Sequence, residues 1–299
     1  MNGILVIDKP RGLTSHDVVM VVKKRLGANK AGHIGTLDPI ATGILPVCIN
    51  GATRLARFLE GGRKEYVASI KLGEETDTYD AEGNVVLKKD ITSVRKEDII
   101  AVVHSFRGRI RQTPPMFSAI KVNGVALYRL ARQGEEVERA PRNVEIYDIH
   151  VEDITFPFTT VRVACSKGTY VRSLAFDIGR KLGCGAHLVG LRRTSNGIFS
   201  VNDSVSMDNA CEKDIIPVER LFADLTGISV DEISALRIRN GLMPFNNGSA
   251  MELNISSSIK DGEMIKFTLN GRIIALANYK DEGGFKLERV FKETVGSRQ

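Results

Sequence analysis

Strand-like and helix-like segments follow one another in this chain without strict alternation. Tyr66–Leu72 alternates its side chains with period two, as expected for a strand with one buried face. Val18, Val22 and Leu26 recur at helical spacing in a segment that ends at Gly27. Segments mixed in this way predict an α+β fold.

The same patterns predict the neighbouring elements. One helix is predicted to begin with Ser15 as its N-cap, and another covers Tyr170–Leu182 and ends at Gly183. The acidic, turn-rich residues 74–84 are predicted to form a loop. Further strands are predicted at Ile4–Ile7, Ile44–Ile49, Val144–Phe156, Thr159–Cys165 and His187–Thr194.

The pattern of apolar residues changes near residue 230. Beyond that point short apolar runs are separated by turns, such as Met264–Leu269 and Ile273–Asn278 around the hairpin signal Asn270-Gly271. We therefore predict a main domain at 1–230 and a small β-rich module at 231–299. The length of 299 residues suits one large domain or two unequal ones.

Composition narrows the class of protein. Hydrophobic residues make up 42% of the chain and charged residues 26%, which is typical of a globular protein. No apolar run is long enough to span a membrane, and the apolar stretch at the start is too short for a signal peptide. The four cysteines are far apart and the five histidines show no metal spacing. We expect a cytoplasmic protein that binds no metal.

The net charge of +6 permits a polyanionic partner. Its excess of basic residues lies in the first 230 positions, where Arg107, Arg109 and Arg111 alternate with Gly108 and Ile110. Charge alone leaves two readings open, a groove for a polyanion and an ordinary solvated surface. The other arginines that stand out are Arg129, Arg132, Arg139 and Arg142, followed by the adjacent pair Arg192 and Arg193.

The stretch "GHIGTLDPIATGILPV" at 32–47 holds a single carboxylate, Asp38. Pro39 forces Asp38 into an extended backbone, and nearby glycines such as Gly35 allow tight turns. Such a loop can hold a carboxylate rigidly at the floor of a cleft. The alternative is an Asx-turn, in which the aspartate only bonds its own backbone.

Two further stretches carry residues suited to a site. Arg172 falls in the first turn of the helix predicted at 170–182, where the helix dipole disfavours a cation and an anionic partner is therefore expected. Tyr66 opens a strand beside Arg63 and Lys64, a setting that suits a stacked base and its phosphates. The alternatives are a surface arginine and a core tyrosine.

Four stretches occur in an order that resembles a known family. They are "GHIGTLDPIATGILPV", "KEYVASIKLGEETDTYDAEG", "QTPPMFSAIKVNGVALYRLARQG" and "GTYVRSLAFDIG" followed by "GAHLVGLRRTSNGIF". Over residues 3–225 the chain is similar to the bacterial tRNA pseudouridine-55 synthases of the TruB family. The resemblance implies a pseudouridine-synthase domain with a central mixed or antiparallel sheet, an RNA-gripping segment at about 76–150, and a PUA-like RNA-binding module at 231–299.

The resemblance also implies an activity. Enzymes of this family flip the uridine of the tRNA T-loop out of its stack, break its N-glycosidic bond and rejoin the base through carbon. They use no cofactor and no metal. The implied partner is the T-arm stem-loop of tRNA, bound by a monomer.

The resemblance assigns roles to residues of this chain. Asp38 is the implied catalytic aspartate, Arg172 its ion-pair partner, and Tyr66 the residue that stacks on the uracil and later moves a proton. The implied substrate-binding residues, which line the pocket or hold the displaced loop, are His33, Tyr66, Tyr170 and Leu191. The expected RNA contacts are Lys64, Arg107, Arg109, Arg111, Arg129, Arg132, Arg142 and Arg192.

Two other functions remain open at this point. A guide-RNA-dependent catalytic subunit would share the aspartate loop, although the long segment 76–150 favours an enzyme that grips RNA itself. A non-catalytic tRNA-binding or folding factor would need the basic groove but neither Asp38 nor Arg172.

Overall fold

The computed structural model describes residues 2–244, 259–280 and 284–291 of the protein. The chain divides into two compact units, Met1–Ile215 and Ile216–Gln299. Within the described ranges no helix is both long enough and apolar enough to cross a membrane.

The N-terminal unit contains most of the strands. These are β1 (Gly3–Lys9), β2 (Ala31–His33), β3 (Ala41–Ile49), β4 (Lys64–Leu72), β5 (Glu74–Thr76), β6 (Val85–Lys88), β7 (Gly108–Gln112), β8 (Lys121–Val122), β9 (Val125–Ala126), β10 (Arg142–Thr155), β11 (Phe158–Cys165), β12 (Ala186–Asn196), β13 (Phe199–Ser200) and β14 (Val205–Ser206). Its helices are α1 (Ser15–Arg25), α2 (Ala56–Leu59), α3 (Lys96–His104), α4 (Leu127–Arg132) and α5 (Val171–Leu182).

A central sheet organises this unit. Its strands run in the order β14-β1-β3-β12-β4-β11-β10-β7, and β2 and β13 pair with β3 and β12 beside this path. The pairs β1–β14 and β3–β12 are parallel, whereas the pairs β1–β3, β12–β4, β4–β11, β11–β10 and β10–β7 are antiparallel. The sheet is therefore mixed, and the predicted α+β class is confirmed.

One face of this sheet is buried beneath helices. Ala68, Ile70 and Leu72 of β4 are buried in one hydrophobic core with Leu174 and Ile178 of α5. Residues of α1 and α3 join the same core, which fixes both helices on the sheet. The predicted strand at 66–72 and the predicted helix at 170–182 are confirmed, and Gly183 ends α5 with a positive φ of 78°.

The start of α1 differs from the prediction by one residue. Thr14 is the N-cap: its hydroxyl accepts a hydrogen bond from the Asp17 amide at 3.1 Å, and the Asp17 carboxylate accepts from the Thr14 amide at 2.9 Å. Ser15 is the first helical residue. Its hydroxyl instead bonds the backbone of Leu37, accepting from the amide at 2.8 Å and donating to the carbonyl at 3.0 Å.

The C-terminal unit is built around a second, smaller sheet. Its elements are β15 (Ile216–Pro217), α6 (Val218–Leu221), β16 (Thr226–Ser229), α7 (Glu232–Arg239), β17 (Met264–Leu269), β18 (Arg272–Lys280) and β19 (Gly284–Val290). The sheet order is β16-β17-β18-β19. The unit begins before the boundary predicted near residue 230, because β16 pairs in parallel with β17 and the Lys266 ammonium donates to the Phe222 and Ala223 carbonyls.

Candidate active site

Asp38 lies in the loop between β2 and β3, and its carboxylate does not serve as a turn cap. Asp38 Oδ2 is 2.8 Å from Nε of Arg172, and 37% of the Asp38 side chain is exposed. The loop backbone is held from beneath by Ser15 at Leu37 and by the buried Lys9, whose ammonium donates to the Ala41 carbonyl at 2.7 Å. The loop therefore presents one accessible carboxylate from a fixed backbone.

Arg172 reaches this carboxylate from the first turn of α5. Its side chain is only 6% exposed, and its remaining nitrogens are bonded inside the protein. Nη1 donates to the Thr78 carbonyl at 3.2 Å and Nη2 to the Phe117 carbonyl at 2.8 Å. The anionic partner that the sequence demanded for this arginine is thus present, and the guanidinium has little freedom to turn away from Asp38.

A second carboxylate, Asp80, faces the same guanidinium. Asp80 Oδ2 lies 3.4 Å from Arg172 Nη1, and the Asp80 side chain is 5% exposed. Its other oxygen accepts from the Thr78 hydroxyl at 2.7 Å and from the Glu82 amide at 3.0 Å. Sequence reasoning missed Asp80, because it belongs to a segment predicted to be an acidic loop, and the family motif quoted for that segment was used only for Tyr66.

Tyr66 and Leu191 face the site from neighbouring strands. Tyr66 is buried on β4, and burial raises the pKa of its phenol, with the charge of Asp38 adding to the increase. Leu191 on β12 pairs with Ala41 of β3 and with Ala68 of β4. The structure therefore places Leu191 beside the first residue of β3, which follows the Asp38 loop, and Tyr66 on the strand next to β12.

Tyr170 is the N-cap residue of α5 and stands two residues before Arg172. The buried Gln112 side chain holds its backbone, accepting from the Tyr170 amide at 2.8 Å and donating to the Tyr170 carbonyl at 3.0 Å. Burial raises the pKa of the Tyr170 phenol, while the hydroxyl of Ser118 lowers it. Gln112 thus ties the edge strand β7 to the helix that carries Arg172.

His33 ends β2, at the opposite end of the loop from β3. Burial lowers the pKa of its imidazole, and the positive charge of Arg193 acts in the same direction. Both effects favour the neutral ring at physiological pH. No grouping of three or more His, Cys, Asp or Glu side chains suited to a metal ion occurs in the described part of the chain.

Comparison with known proteins places this chain in a family. The model "TruB family pseudouridylate synthase (N terminal domain)" matches residues 23–171, and "tRNA pseudouridylate synthase B C-terminal domain" matches residues 172–219. A Clostridium acetobutylicum protein named tRNA pseudouridine synthase B is 44% identical over 295 residues, covering 97% of this chain and 99% of the relative. Its Clostridium tetani namesake is 40% identical over 294 residues, with the same coverage. The chain belongs to the TruB family.

A solved structure supports the fold of this TruB-family chain. A chain in the crystal structure of a Cbf5-Nop10-Gar1 complex superimposes with a TM-score of 0.71 and is 29% identical. The match covers 97% of this chain and 85% of that one. The resemblance deduced from the sequence motifs is thus confirmed over nearly the full length.

The arginines expected to contact RNA in this TruB-family protein are mostly exposed. Arg109 and Arg111 lie on the same face of β7, and Arg129 and Arg132 lie within 6 Å of the ring centre of Tyr128 on α4. The exposed members of the predicted set are Arg107, Arg109, Arg111, Arg129, Arg132 and Arg142. Arg192 is partly exposed and pairs with both carboxylate oxygens of Asp8, at 3.0 and 2.8 Å.

Lys64 differs from the other predicted RNA contacts. It is only 7% exposed, and its ammonium donates to the carbonyls of Glu60 and Gly62 at 3.2 and 3.3 Å. Burial lowers the pKa of this ammonium. The side chain therefore stabilises the loop before β4 and is not exposed, although the sequence analysis expected it to contact RNA.

Proposed function

We propose that this TruB-family protein isomerises uridine-55 in the T-loop of tRNA to pseudouridine. The observation that carries the proposal is the Asp38 carboxylate, held on a rigid loop, open to solvent, and 2.8 Å from the buried guanidinium of Arg172. The two relatives named tRNA pseudouridine synthase B, which align with 97% of the chain, support the same activity.

The reaction breaks the bond between N1 of uracil and C1′ of the ribose, forms a bond between C5 and C1′, and releases the proton of C5. Asp38 acts at the ribose, either as the nucleophile at C1′ or as a base. Both roles require an ionised carboxylate, and the guanidinium of Arg172 compensates its negative charge. Tyr66 stacks on the uracil and takes part in the proton transfer that follows.

The substrate base is extruded from a folded RNA loop before it can reach Asp38. Unstacking costs a few kcal/mol, which stacking in the pocket and phosphate contacts offset. We assign the pocket to His33, Tyr66, Tyr170 and Leu191. We assign the phosphate contacts to the exposed arginines of β7 and the turn before it, of α4 and of the start of β10. We leave Lys64 out because its ammonium is bonded within the chain.

We further expect the protein to act in the cytoplasm as a monomer, with tRNA as its partner and without a cofactor or metal. The C-terminal unit is expected to contribute RNA contacts as a PUA-like module. Gel filtration with light scattering tests the monomer, and RNA binding by the intact chain and by a chain ending before residue 216 tests the module.

The first experiment measures tritium release from a T-arm hairpin labelled at C5 of its uridine. The wild-type protein alone should release tritium, because C5 loses its hydrogen when it bonds to C1′. Asp38→Asn should abolish release while the affinity for the hairpin stays within a few-fold of wild type. Asp208→Asn, at an exposed aspartate outside the site, serves as the matched control.

The outcomes separate this function from its alternatives. Release by wild type and by the Asp208→Asn control, but not by Asp38→Asn, supports the isomerase and the role of Asp38 together. Undiminished release by Asp38→Asn overturns the assignment of the catalytic residue. Tight binding without release by any variant would favour a guide-dependent subunit or a non-catalytic tRNA-binding factor.

A further inference from the structure

Arg193 is a fully buried cation that the catalytic proposal leaves without a role. It neighbours Arg192 on β12, but the strand sends the two side chains to opposite sides. Arg192 pairs with Asp8 at the surface, whereas Arg193 is 0% exposed. No carboxylate lies within 4 Å of the Arg193 guanidinium among the residues that the structure describes. A buried charge without a counter-ion is costly, so its hydrogen bonds must compensate for it.

The hydrogen bonds of Arg193 go to both arms of the Asp38 loop. Nη2 donates to the Gly35 carbonyl at 2.9 Å, before the aspartate. Nε donates to the Ile44 carbonyl at 2.8 Å, after it. One guanidinium therefore clamps the chain on either side of Asp38, and charge-assisted bonds of this kind are stronger than neutral ones.

Arg193 also lies directly opposite the tyrosine that the proposed function uses. Tyr66 is its cross-strand partner in the pairing of β12 with β4. The positive charge of the guanidinium lowers the phenol pKa, while burial, the larger effect, raises it. The same side chain is thus bonded to the loop that carries the aspartate and lies beside the tyrosine.

The backbone of Arg193 is paired with a strand on each side. Its other cross-strand partner is Gly43 of β3, which has a positive φ of 96°. A Cβ atom at Gly43 would lie 2.2 Å from the Arg193 carbonyl oxygen. The two strands therefore approach each other more closely than a side chain at position 43 would allow. This close pairing fixes the position of the Arg193 Cα atom.

We propose that Arg193 is a positioning residue that sets the Tyr66 hydroxyl in register with the Asp38 carboxylate. The inference rests on the proposed isomerase function, because it needs Tyr66 and Asp38 to act on one uridine. The positive charge of the guanidinium stabilises the phenol oxygen whenever it gives up its proton.

Several other titratable groups lie near Tyr66. Asp38 raises the phenol pKa, and so does Cys165. Lys64, two residues earlier on β4, is held by the carbonyls of Glu60 and Gly62. Burial raises the pKa of the Cys165 thiol to about 11, so this group is neutral at physiological pH. Asp38 and Arg193 thus act on the phenol pKa of Tyr66 in opposite directions.

The kinetic test compares Arg193→Met, Arg193→Lys and the control Arg162→Met in single-turnover tritium release from the labelled T-arm hairpin. Arg162 lies on β11 and is paired with Glu65 and Glu152, outside the site. We expect Arg193→Met to slow turnover by about 10²-fold, the size of effect that a small misplacement of reacting groups produces. Hairpin affinity should stay within a few-fold, and Arg193→Lys should restore part of the rate because it keeps the charge.

A double-mutant cycle with Tyr66→Phe tests whether Arg193 acts through the tyrosine. If it does, adding Arg193→Met to Tyr66→Phe should slow turnover by only a few-fold more, because the hydroxyl is already absent. Independent, fully multiplicative effects of the two substitutions would overturn the proposal. So would an Arg193→Met protein that is folded and turns over at the wild-type rate.

A readout without activity separates this inference from the proposed function. The protein is labelled with 3-fluorotyrosine, the Tyr66 signal is assigned by its loss in Tyr66→Phe, and its ¹⁹F shift is titrated with pH. Arg193→Met should raise the titration midpoint, whereas Arg193→Lys and Arg162→Met should leave it near that of wild type. An unchanged midpoint would show that Arg193 does not act on the Tyr66 phenol and would overturn the proposal. If Arg193→Met does not fold, Arg193→Lys is tested instead, together with the kinetic cycle. If the wild-type protein releases no tritium, the isomerase proposal is refuted, whereas the ¹⁹F titration still tests the effect of Arg193 on Tyr66.

Discussion

Two carboxylates share the guanidinium of Arg172, but they differ in their freedom. Asp80 is 5% exposed and is fixed by the Thr78 hydroxyl and the Glu82 amide. Asp38 is 37% exposed, and its carboxylate pairs with the arginine. The buried carboxylate of Asp80 can therefore hold Arg172 in place, while the exposed carboxylate of Asp38 stays available to a substrate. A single arginine thus serves one structural and one reactive aspartate.

Asp80→Asn should reduce the rate of turnover by about tenfold to a hundredfold without abolishing it. The amide keeps an oxygen for the Thr78 and Glu82 donors, so the loop stays folded, but Arg172 loses one of its two anions and part of its orientation. Single-turnover tritium release checks the rate, and Asp77→Asn, at an exposed aspartate in the same loop, is the control. A wild-type rate in Asp80→Asn would contradict a role for this carboxylate.

At the scale of elements, one stripe of α5 holds the loop that brings Asp80 to the site. Arg172 and Phe176 lie one turn apart, and Arg180 lies a further turn along the helix. Phe176 stacks on Tyr79 with a ring-centre distance of 4.1 Å, and Arg180 Nε lies 2.6 Å from a carboxylate oxygen of Glu75. The sequence pattern predicted this helix, because its apolar period is local. It could not predict the contacts of α5 with this loop, because these join residues about a hundred positions apart. The strand β5 lies in the segment predicted as a loop, and it pairs with β6 nearby in the sequence.

Gly43→Ala should lower the free energy of unfolding by about 3 kcal/mol or more. Its Cβ would meet the Arg193 carbonyl oxygen at 2.2 Å, and a side chain is strained at a φ of 96°. Gly32→Ala, in the neighbouring strand β2, meets no atom within 4 Å and should stay within about 1 kcal/mol of wild type. Urea denaturation of both variants measures the difference. Equal midpoints would contradict the close approach of β3 and β12.

For the molecule as a whole, the sequence predicted the fold class, a separate β-rich C-terminal module and the excess of basic residues in the larger unit. The family motifs also pointed to Asp38, Tyr66 and Arg172, which the structure brings together. Patterns of charge could not tell which basic residues face inward. Arg193 is buried and Lys64 is bonded to backbone carbonyls, because alternate positions of β12 and the fold of the loop before β4 decide their direction.

The exposed arginines of β7 and of the turn before it differ from other surface arginines in one respect that bears on RNA binding. No carboxylate lies within 4 Å of Arg107, Arg109 or Arg111 in the described ranges, whereas Arg95 pairs with Asp98 and Arg162 with Glu65 and Glu152. Unpaired arginines can neutralise phosphates and release the counterions of RNA. Paired arginines are already neutralised by the protein, so their loss should change this release little.

Replacement of Arg107, Arg109 and Arg111 by Gln should therefore flatten the salt dependence of T-arm binding. Each phosphate contact contributes up to about one unit to the slope of log K against log salt concentration, so the triple variant should lose up to about three units. The double variant Arg95→Gln, Arg162→Gln should keep the wild-type slope because its arginines are paired within the protein. Fluorescence anisotropy with a labelled hairpin at several salt concentrations measures both slopes. A triple variant with the wild-type slope would mean that β7 does not face the RNA, and the phosphate contacts would then have to lie elsewhere on the basic surface.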